Sequence, residues 1–384
     1  MLPKDRVLAT FKFKAIDKIP IHNIGFSSSI ASIILGREAY VGGGIQQWRE
    51  ACALWQGETA HEKFLDRSEK DAFDLSVILE HDILRLQYWR MPVKPTKRLD
   101  KYTFLYGDPD KNWRIMKFDP ATELYQITQQ YPPKKEEDIN NIEKYIENLE
   151  SSMEKQVPDA KPHPETKRLI DKYGDRWIVR IGGGSLGIPY SSPVWLEAIV
   201  SNPSLVTRYL NAQTRRAILN LESLAEAGVK IIFGGGDFAA EHGPFYSPKA
   251  FHELMLPCLK IITDECHKLG IYYLFASDGN LWPVAEDLFK HSGVDGYYEI
   301  DSKAGMDIRM LRERFPKLVL IGNISSYTLH KGNRKDVIRE ATICLEEARR
   351  SGGIIVGVSN YIMPGTPEKN LWTLIDTIKN NRKI

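Results

Sequence analysis

Residues 230–238 read KIIFGGGDF: three apolar residues behind a lysine, three glycines, then an acid and an aromatic. The run follows a long amphipathic pattern over residues 203–227 that Gly228 closes. A strand so short and so uniformly apolar is buried on both faces, which is a property of parallel β/α units rather than of half-exposed antiparallel strands. The same unit recurs on either side. Strands are predicted at 177–181, 230–233, 271–275, 296–299, 318–321 and 354–358, alternating with helix patterns at 203–227, 248–269, 281–291, 306–315, 336–351 and 367–380. Gly228, Gly270, Gly293 and Gly352 stand where a helix end hands over to the next strand. Lys18–Gly25 (KIPIHNIG) and the apolar stretch 83–88 supply two further strands. The expectation is therefore an α/β fold of the TIM-type (β/α)8 barrel kind, one domain over residues 1–384, with an N-terminal helical extension. Residues 98–131 alternate apolar and polar around a turn at 107–111 and predict a small antiparallel β-meander inserted beside the barrel. Residues 134–159 predict a charged amphipathic helix as a surface connector.

Fifty-two Lys and Arg against fifty Asp and Glu leave a net charge of +2, so no electrostatic case arises for nucleic acid or an anionic membrane as partner. The composition, 42% hydrophobic and 27% charged, is that of a globular protein. Residues 1–14 lack an apolar signal region, and no stretch offers the roughly 18 apolar residues of a membrane span. A cytoplasmic location is expected. Cys52, Cys258, Cys266 and Cys344 fall in helical patterns without a C-x-x-C pair, and read as buried free thiols rather than metal ligands.

In a β/α barrel the chemistry belongs at the C-terminal ends of the strands, where the loops converge. Five successive strand ends deliver Asp237, Asp278, Glu299, Asn323 and Asn360 to that rim. Any one of them could be a helix cap; acids gathered there would raise one another's pKa or bind a cation. Gly182–Gly184 and Gly234–Gly236 would let a ligand approach the backbone, although neither run continues as a dinucleotide or P-loop motif. His242 follows an acidic strand end and is a candidate ligand or proton carrier, with a plain surface histidine as the alternative. Aromatics including Phe238, Tyr298 and Tyr361 crowd the same loops and suit a flat organic substrate. The stretch Asp264–Gly270 has one residue too many for the D-x-H-x-x-G corrinoid signature, and His267 reads as a cation at a helix end.

From about Ile181 onward the order of motifs resembles the uroporphyrinogen decarboxylase superfamily, which includes the decarboxylase and many corrinoid-dependent methyltransferases. The pieces are Gly236-Asp237, Tyr246-Ser247-Pro248, Leu256-Pro257, Ser277-Asp278-Gly279-Asn280, Gly293-Val294-Asp295-Gly296, Lys303-Ala304-Gly305-Met306-Asp307, Ile321-Gly322-Asn323, and Pro364-Gly365-Thr366-Pro367 with Asn370. The resemblance implies a TIM-type barrel. The decarboxylase branch grips propionates through an N-terminal arginine motif, and Ile21–Phe26 here holds no arginine. Thiol-methylating relatives use His and Cys zinc ligands at places that here hold Ala276, Asp278 and Asn360. What remains resembles the subgroup that passes a methyl group from small methylated molecules, methoxylated aromatics included, to a separate corrinoid-binding protein.

That resemblance implies a methyltransferase in which Asp237, Asp278 and Glu299 place a proton, or a divalent metal such as zinc, at the leaving oxygen. His242, Tyr298, Asn323, Asn360, Phe238 and Tyr361 are the substrate-binding candidates. The cofactor implied is a corrinoid carried by the partner protein; the partners are that protein and a small-molecule methyl donor, with a homodimer as the candidate assembly. Two alternatives stand beside it: a decarboxylase-like lyase on the same barrel, and a non-catalytic barrel that binds a small molecule.

Overall fold

The strands form where apolar side chains can alternate between two cores. In a computed structural model that describes residues 1–133, 138–154 and 161–384, the fold is mixed α/β, with parallel sheets and helices. Its largest sheet has six parallel strands in the order Ile354–Ile355, Val319–Ile321, Gly296–Tyr298, Tyr272–Ala276, Ile231–Gly235 and Ile181–Ser185. Ile232, Tyr273, Phe275, Tyr297 and Leu320 enter the core shared with the helices. Their neighbours Ile231, Phe233, Leu274, Tyr298, Val319 and Ile321 enter a second core on the other face, with Val7 and Phe11 of the helix Pro3–Phe11. This period of two with both faces apolar is what the short apolar runs predicted.

Pairing continues past both edges of the sheet. Val356 bridges Ile21 in parallel, and Gly25–Phe26 pairs with Tyr361–Ile362. At the other side Ile178–Val179 pairs in parallel with Ile83–Leu84, and the Asp82 N–H donates to the Ile21 carbonyl at 2.9 Å. The segment 18–25 thus carries bridges and a two-residue strand rather than one long strand. Pro20, which has no N–H, contributes only its carbonyl, accepting from Val356 at 2.9 Å. The run expected at 177–181 is two strands, and 83–88 keeps only Ile83–Leu84.

Helices Pro203–Glu226, Leu256–Lys268, Arg334–Ser351 and Glu368–Asn381 follow their patterns. Asn202 and Ser247 cap backbone N–H groups just before prolines that open helical turns, and Asn333 with Asp336 forms a capping box. The pattern at 281–291 is helical without a break over 282–291, but with changing pitch: it opens as a 3₁₀ turn, Trp282–Val284, and ends as a π turn, Asp287–His291. The four hand-over glycines all have positive φ, as a left-handed cap requires. Helices Ser28–Leu35, Gly44–Gln56 and Glu58–Ile78 make up the rest of the N-terminal region.

The predicted meander is a four-stranded antiparallel sheet, Lys97–Arg98, Thr103–Asp108, Asn112–Asp119 and Leu124–Tyr131. It has its own small core of Phe104, Tyr106, Met116, Phe118 and Tyr125 against Ala51, Ile45 and Trp48. The connector contains the helix Ile139–Glu154, whose Ile142 and Ile146 join the main core; its expected ends, 134–137 and 155–159, lie outside the described residues. The four cysteines lie in helices as free thiols, Cys52 half-buried and the others buried. Among the described residues no helix is long and apolar enough to cross a membrane.

Candidate active site

Parallel strands in register bring their ends to one level, so residues far apart in sequence become neighbours there. Asp237 follows Ile231–Gly235, Asp278 follows Tyr272–Ala276, and Glu299 follows Gly296–Tyr298. Each of the three offers a carboxylate oxygen, and these oxygens lie within 4.8 Å of one another. Asp237 is exposed, while Asp278 and Glu299 are half-buried. The Asp278 N–H donates to Asp237 Oδ1 at 3.3 Å. From beyond the last strand, Ile354–Ile355, Asn360 Nδ2 donates to Asp278 Oδ2 at 2.7 Å, and Asn360 Oδ1 accepts from the Tyr361 N–H at 2.6 Å.

Crowding three carboxylates in a half-buried place disfavours their charged forms. Burial, and then the charges of Asp237 and Asp301, push Asp278 up to about 7, against the opposing hydrogen bond from Asn360. Burial and then Asp278 push Glu299 up to about 8, although Arg180 and Arg85 favour its ionised form. Near neutral pH the cluster therefore holds at least part of a proton, and it titrates as a coupled set. Glu299 and Asn323 also adopt positive φ, 69° and 124°, at adjacent strand ends. Non-glycine residues pay for that conformation, and such strain gathers at functional sites.

The other expected site residues are placed differently. Tyr298 is buried, and its hydroxyl donates to the Gly234 carbonyl at 3.0 Å. Phe238, expected to face substrate, is wholly buried among Tyr246, Phe251 and Phe275, so it is a core aromatic. Its neighbour Ala239 opens a two-strand hairpin with Gly243–Pro244, and that chain reversal turns the Phe238 ring inward. His242 is exposed in the turn of the same hairpin, and among the described residues no hydrogen bond joins it to the acids. Asn323 is half-buried and donates to the Met306 carbonyl at 3.2 Å; the following helix is capped by Ser325 instead. Tyr361 is half-buried, its hydroxyl accepting from the Gly43 N–H at 3.1 Å and its ring edge-on to Trp89.

Part of each glycine run is taken up by packing within the protein. A Cβ at Gly234 would collide with the Tyr273 hydroxyl, one at Gly184 would lie 2.7 Å from the Tyr273 ring, and one at Gly235 would collide with the Ala276 backbone. The Tyr273 hydroxyl donates to the Gly184 carbonyl at 2.6 Å and accepts from the Gly235 N–H at 3.1 Å. The room made by Gly184, Gly234 and Gly235 is filled by a buried tyrosine and a neighbouring strand, whereas a Cβ at Gly182 would meet nothing nearer than 3.8 Å.

Two residues beside the acids were absent from the sequence reading. Arg85 follows Ile83–Leu84 and Arg180 follows Ile178–Val179, and both guanidinium groups donate to the Ile24 carbonyl, Arg180 at 2.9 Å. Each interrupts an apolar strand run with a charge, and that is the signal by which the sequence marks these two strand ends like the other five. A cavity of about 580 Å³ lined by Tyr40, Glu69, Tyr88, Arg90 and Arg168 contains none of the three acids. His267, in the last turn of Leu256–Lys268, has its Nε2 3.0 Å from Asp295 Oδ2.

Over residues 182–381, more than half of the 384-residue chain, the sequence matches the family described as uroporphyrinogen decarboxylase (URO-D). Among solved structures it is similar to a sugar phosphate isomerase/epimerase from Parabacteroides distasonis, at 12% identity over 56% of this chain and 73% of that one, with a TM-score of 0.31. It is similar also to an IOLI protein with a bound zinc atom, at 10% identity over 65% of this chain and 96% of that one, with a TM-score of 0.30. At such scores neither likeness bears on fold or chemistry. No curated protein matches the chain.

Proposed function

Since the chain belongs to the uroporphyrinogen decarboxylase family, whose members are enzymes such as decarboxylases and methyltransferases, we propose that it is a methyltransferase. It moves a methyl group from a small methylated substrate, a methoxylated aromatic in the first instance, to a separate corrinoid-binding protein. The scaffold in this reading is a (β/α)8 barrel in a single domain. Its support is the succession of parallel segments in which the Ile21 region bonds both to Val356 and to Asp82. The observation that carries the activity is the meeting of Asp237, Asp278 and Glu299 within 4.8 Å.

An ether methyl leaves reluctantly because the oxygen left behind would carry a full charge. The corrinoid on its partner supplies the nucleophile. Asp278 and Glu299, raised to about 7 and about 8, supply what the ether lacks: a carboxylic acid still protonated near neutral pH. As the carbon–oxygen bond breaks, its electron pair stays on oxygen and a proton from this pair neutralises it. Asn360 fixes the Asp278 carboxyl, and Asp237 stands on the exposed side of the cluster. The same three oxygens also fit an oxygen-preferring divalent cation, which would polarise the leaving oxygen instead. They do not fit a thiolate zinc site, for Cys258, Cys266 and Cys344 are buried in helices.

The test is demethylation of a panel of methoxylated aromatics with a reduced corrinoid protein. Asp278→Asn and Glu299→Gln are each expected to lose about 10²-fold or more in rate. Parent-like rates in both would remove the acids from the mechanism. Release of carbon dioxide without methyl transfer would assign the lyase alternative, and binding without turnover the non-catalytic one. Elemental analysis of the parent and of Asp278→Asn decides between proton and cation.

A further inference from the structure

A guanidinium taken out of water needs an anion or several acceptors, because an unpaired buried charge is costly. Arg85 and Arg180, both half-buried, meet at the Ile24 carbonyl, and Arg180 also reaches the Tyr298 hydroxyl, although each group offers five donors. Among the described residues neither forms an ion pair with a carboxylate, whereas buried Arg6 and Arg382 both pair with Asp82. The two charges also oppose each other: burial, and next the proximity of Arg180, hold Arg85 down to about 10.

Aromatic rings hold the two guanidinium groups in place. The Arg85 guanidinium lies 4.7 Å from the ring centres of Tyr88 and Trp89, and that of Arg180 lies 4.9 Å from Phe233 and 5.4 Å from Tyr298. These contacts fix both forks. Gly25 is part of the arrangement, for a Cβ there would lie 2.6 Å from Arg85 Nη1. Glu299, one of the three clustered acids, is close enough for both arginines to influence its charge without forming an ion pair with either.

We propose that Arg85 and Arg180 form an anion clamp for a carboxylate on the substrate, so that the methyl donor is a methoxylated carboxylic acid bound between the guanidinium pair and the acids. This rests on the methyltransferase reading for the word methoxylated only; the clamp itself is a binding site and is tested without turnover. Arg carboxylate recognition is bidentate and charge-assisted, which a neutral amide of the same shape cannot reproduce.

The experiment is isothermal titration of the full chain, without corrinoid partner, with 4-methoxybenzoate, benzoate, 4-methoxybenzamide and inorganic phosphate. Both acids are expected to bind at least tenfold more tightly than the amide or phosphate. Arg180→Met and Arg85→Lys, checked for folding by circular dichroism, are expected to weaken the acids by about tenfold or more and to leave the amide unchanged. Equal affinity of acid and amide for the parent protein overturns the clamp and needs no variant, as does the failure of every carboxylate probe to bind. Equal binding of phosphate overturns the carboxylate assignment. Arginine-dependent binding of the acids without any demethylation sustains the clamp and removes the methyltransferase reading.

Discussion

Glu299 combines two costs in one side chain, a left-handed backbone at φ 69° and a carboxyl raised to about 8 by burial and by Asp278. A raised acid binds its proton more tightly in the folded protein than in the unfolded chain, where Glu titrates near 4.5. The stabilisation is then complete below about pH 4 and is lost as pH rises through about 8. Glu299→Gln is accordingly expected to be more stable than the parent at pH 8, by roughly a few degrees in thermal midpoint, with the difference shrinking toward pH 5. Melting curves at both values check this, and a less stable variant at pH 8 would mean that Glu299 is ionised against Arg85 and Arg180. The same acids set the rate profile: demethylation is expected to decline above about pH 8 as the coupled pair gives up its last proton. In Asp278→Asn that falling limb should move. The convergence of Asp237, Asp278 and Glu299 was legible in the sequence, since each follows a recognisable strand. Their charge state was not, because it depends on burial and on neighbours contributed by other strands.

Among the elements, the meander does more than decorate the surface. Glu123, in the turn before Leu124–Tyr131, accepts the Ser28 N–H at 2.7 Å and the Ser29 N–H at 2.8 Å, so it caps the helix Ser28–Leu35 from a distant part of the chain. The first N–H groups of a helix have no partner within it and favour a negative charge. Glu123→Ala is expected to cost about 1–2 kcal/mol in a urea unfolding curve, the magnitude of a lost cap. Gly44 opens the next helix against the same turn, and a Cβ there would run into the Tyr125 and Glu123 backbone. Gly44→Ala should therefore loosen the meander as well, measurable as faster hydrogen exchange in Thr103–Asp108. Alternation of apolar and polar residues sufficed to predict the antiparallel strands, as that signal is local. Their docking through Glu123 and Gly44 was hidden, because it joins surfaces that no periodicity connects.

At the scale of the molecule, Asp82 holds distant segments together. Its carboxylate pairs with Arg6 of the first helix and with Arg382 at 2.5 Å, and accepts the Ile21 N–H at 2.9 Å. All three charged side chains are almost completely buried; without the carboxylate, Arg6 keeps only the exposed Asp17 as an anion and Arg382 only the exposed Glu80 with two carbonyls, so the buried anion between them is lost. Asp82→Ala is expected to cost about 3–5 kcal/mol in equilibrium unfolding, far more than an exposed pair would. A change below about 1 kcal/mol would show that water or carbonyl groups replace the carboxylate.

The sequence by itself determined the alternation of buried strands and amphipathic helices, the antiparallel meander and the acids at the strand ends, because burial and backbone preference act over a few residues. Only the tertiary structure decided that Tyr273 fills the space beside the glycines, that Phe238 belongs to the core, and that Arg85 and Arg180 meet at the Ile24 carbonyl. Those outcomes depend on which strands lie side by side and which way each chain turns, and the dielectric and charge at a site exist only once those neighbours are in place.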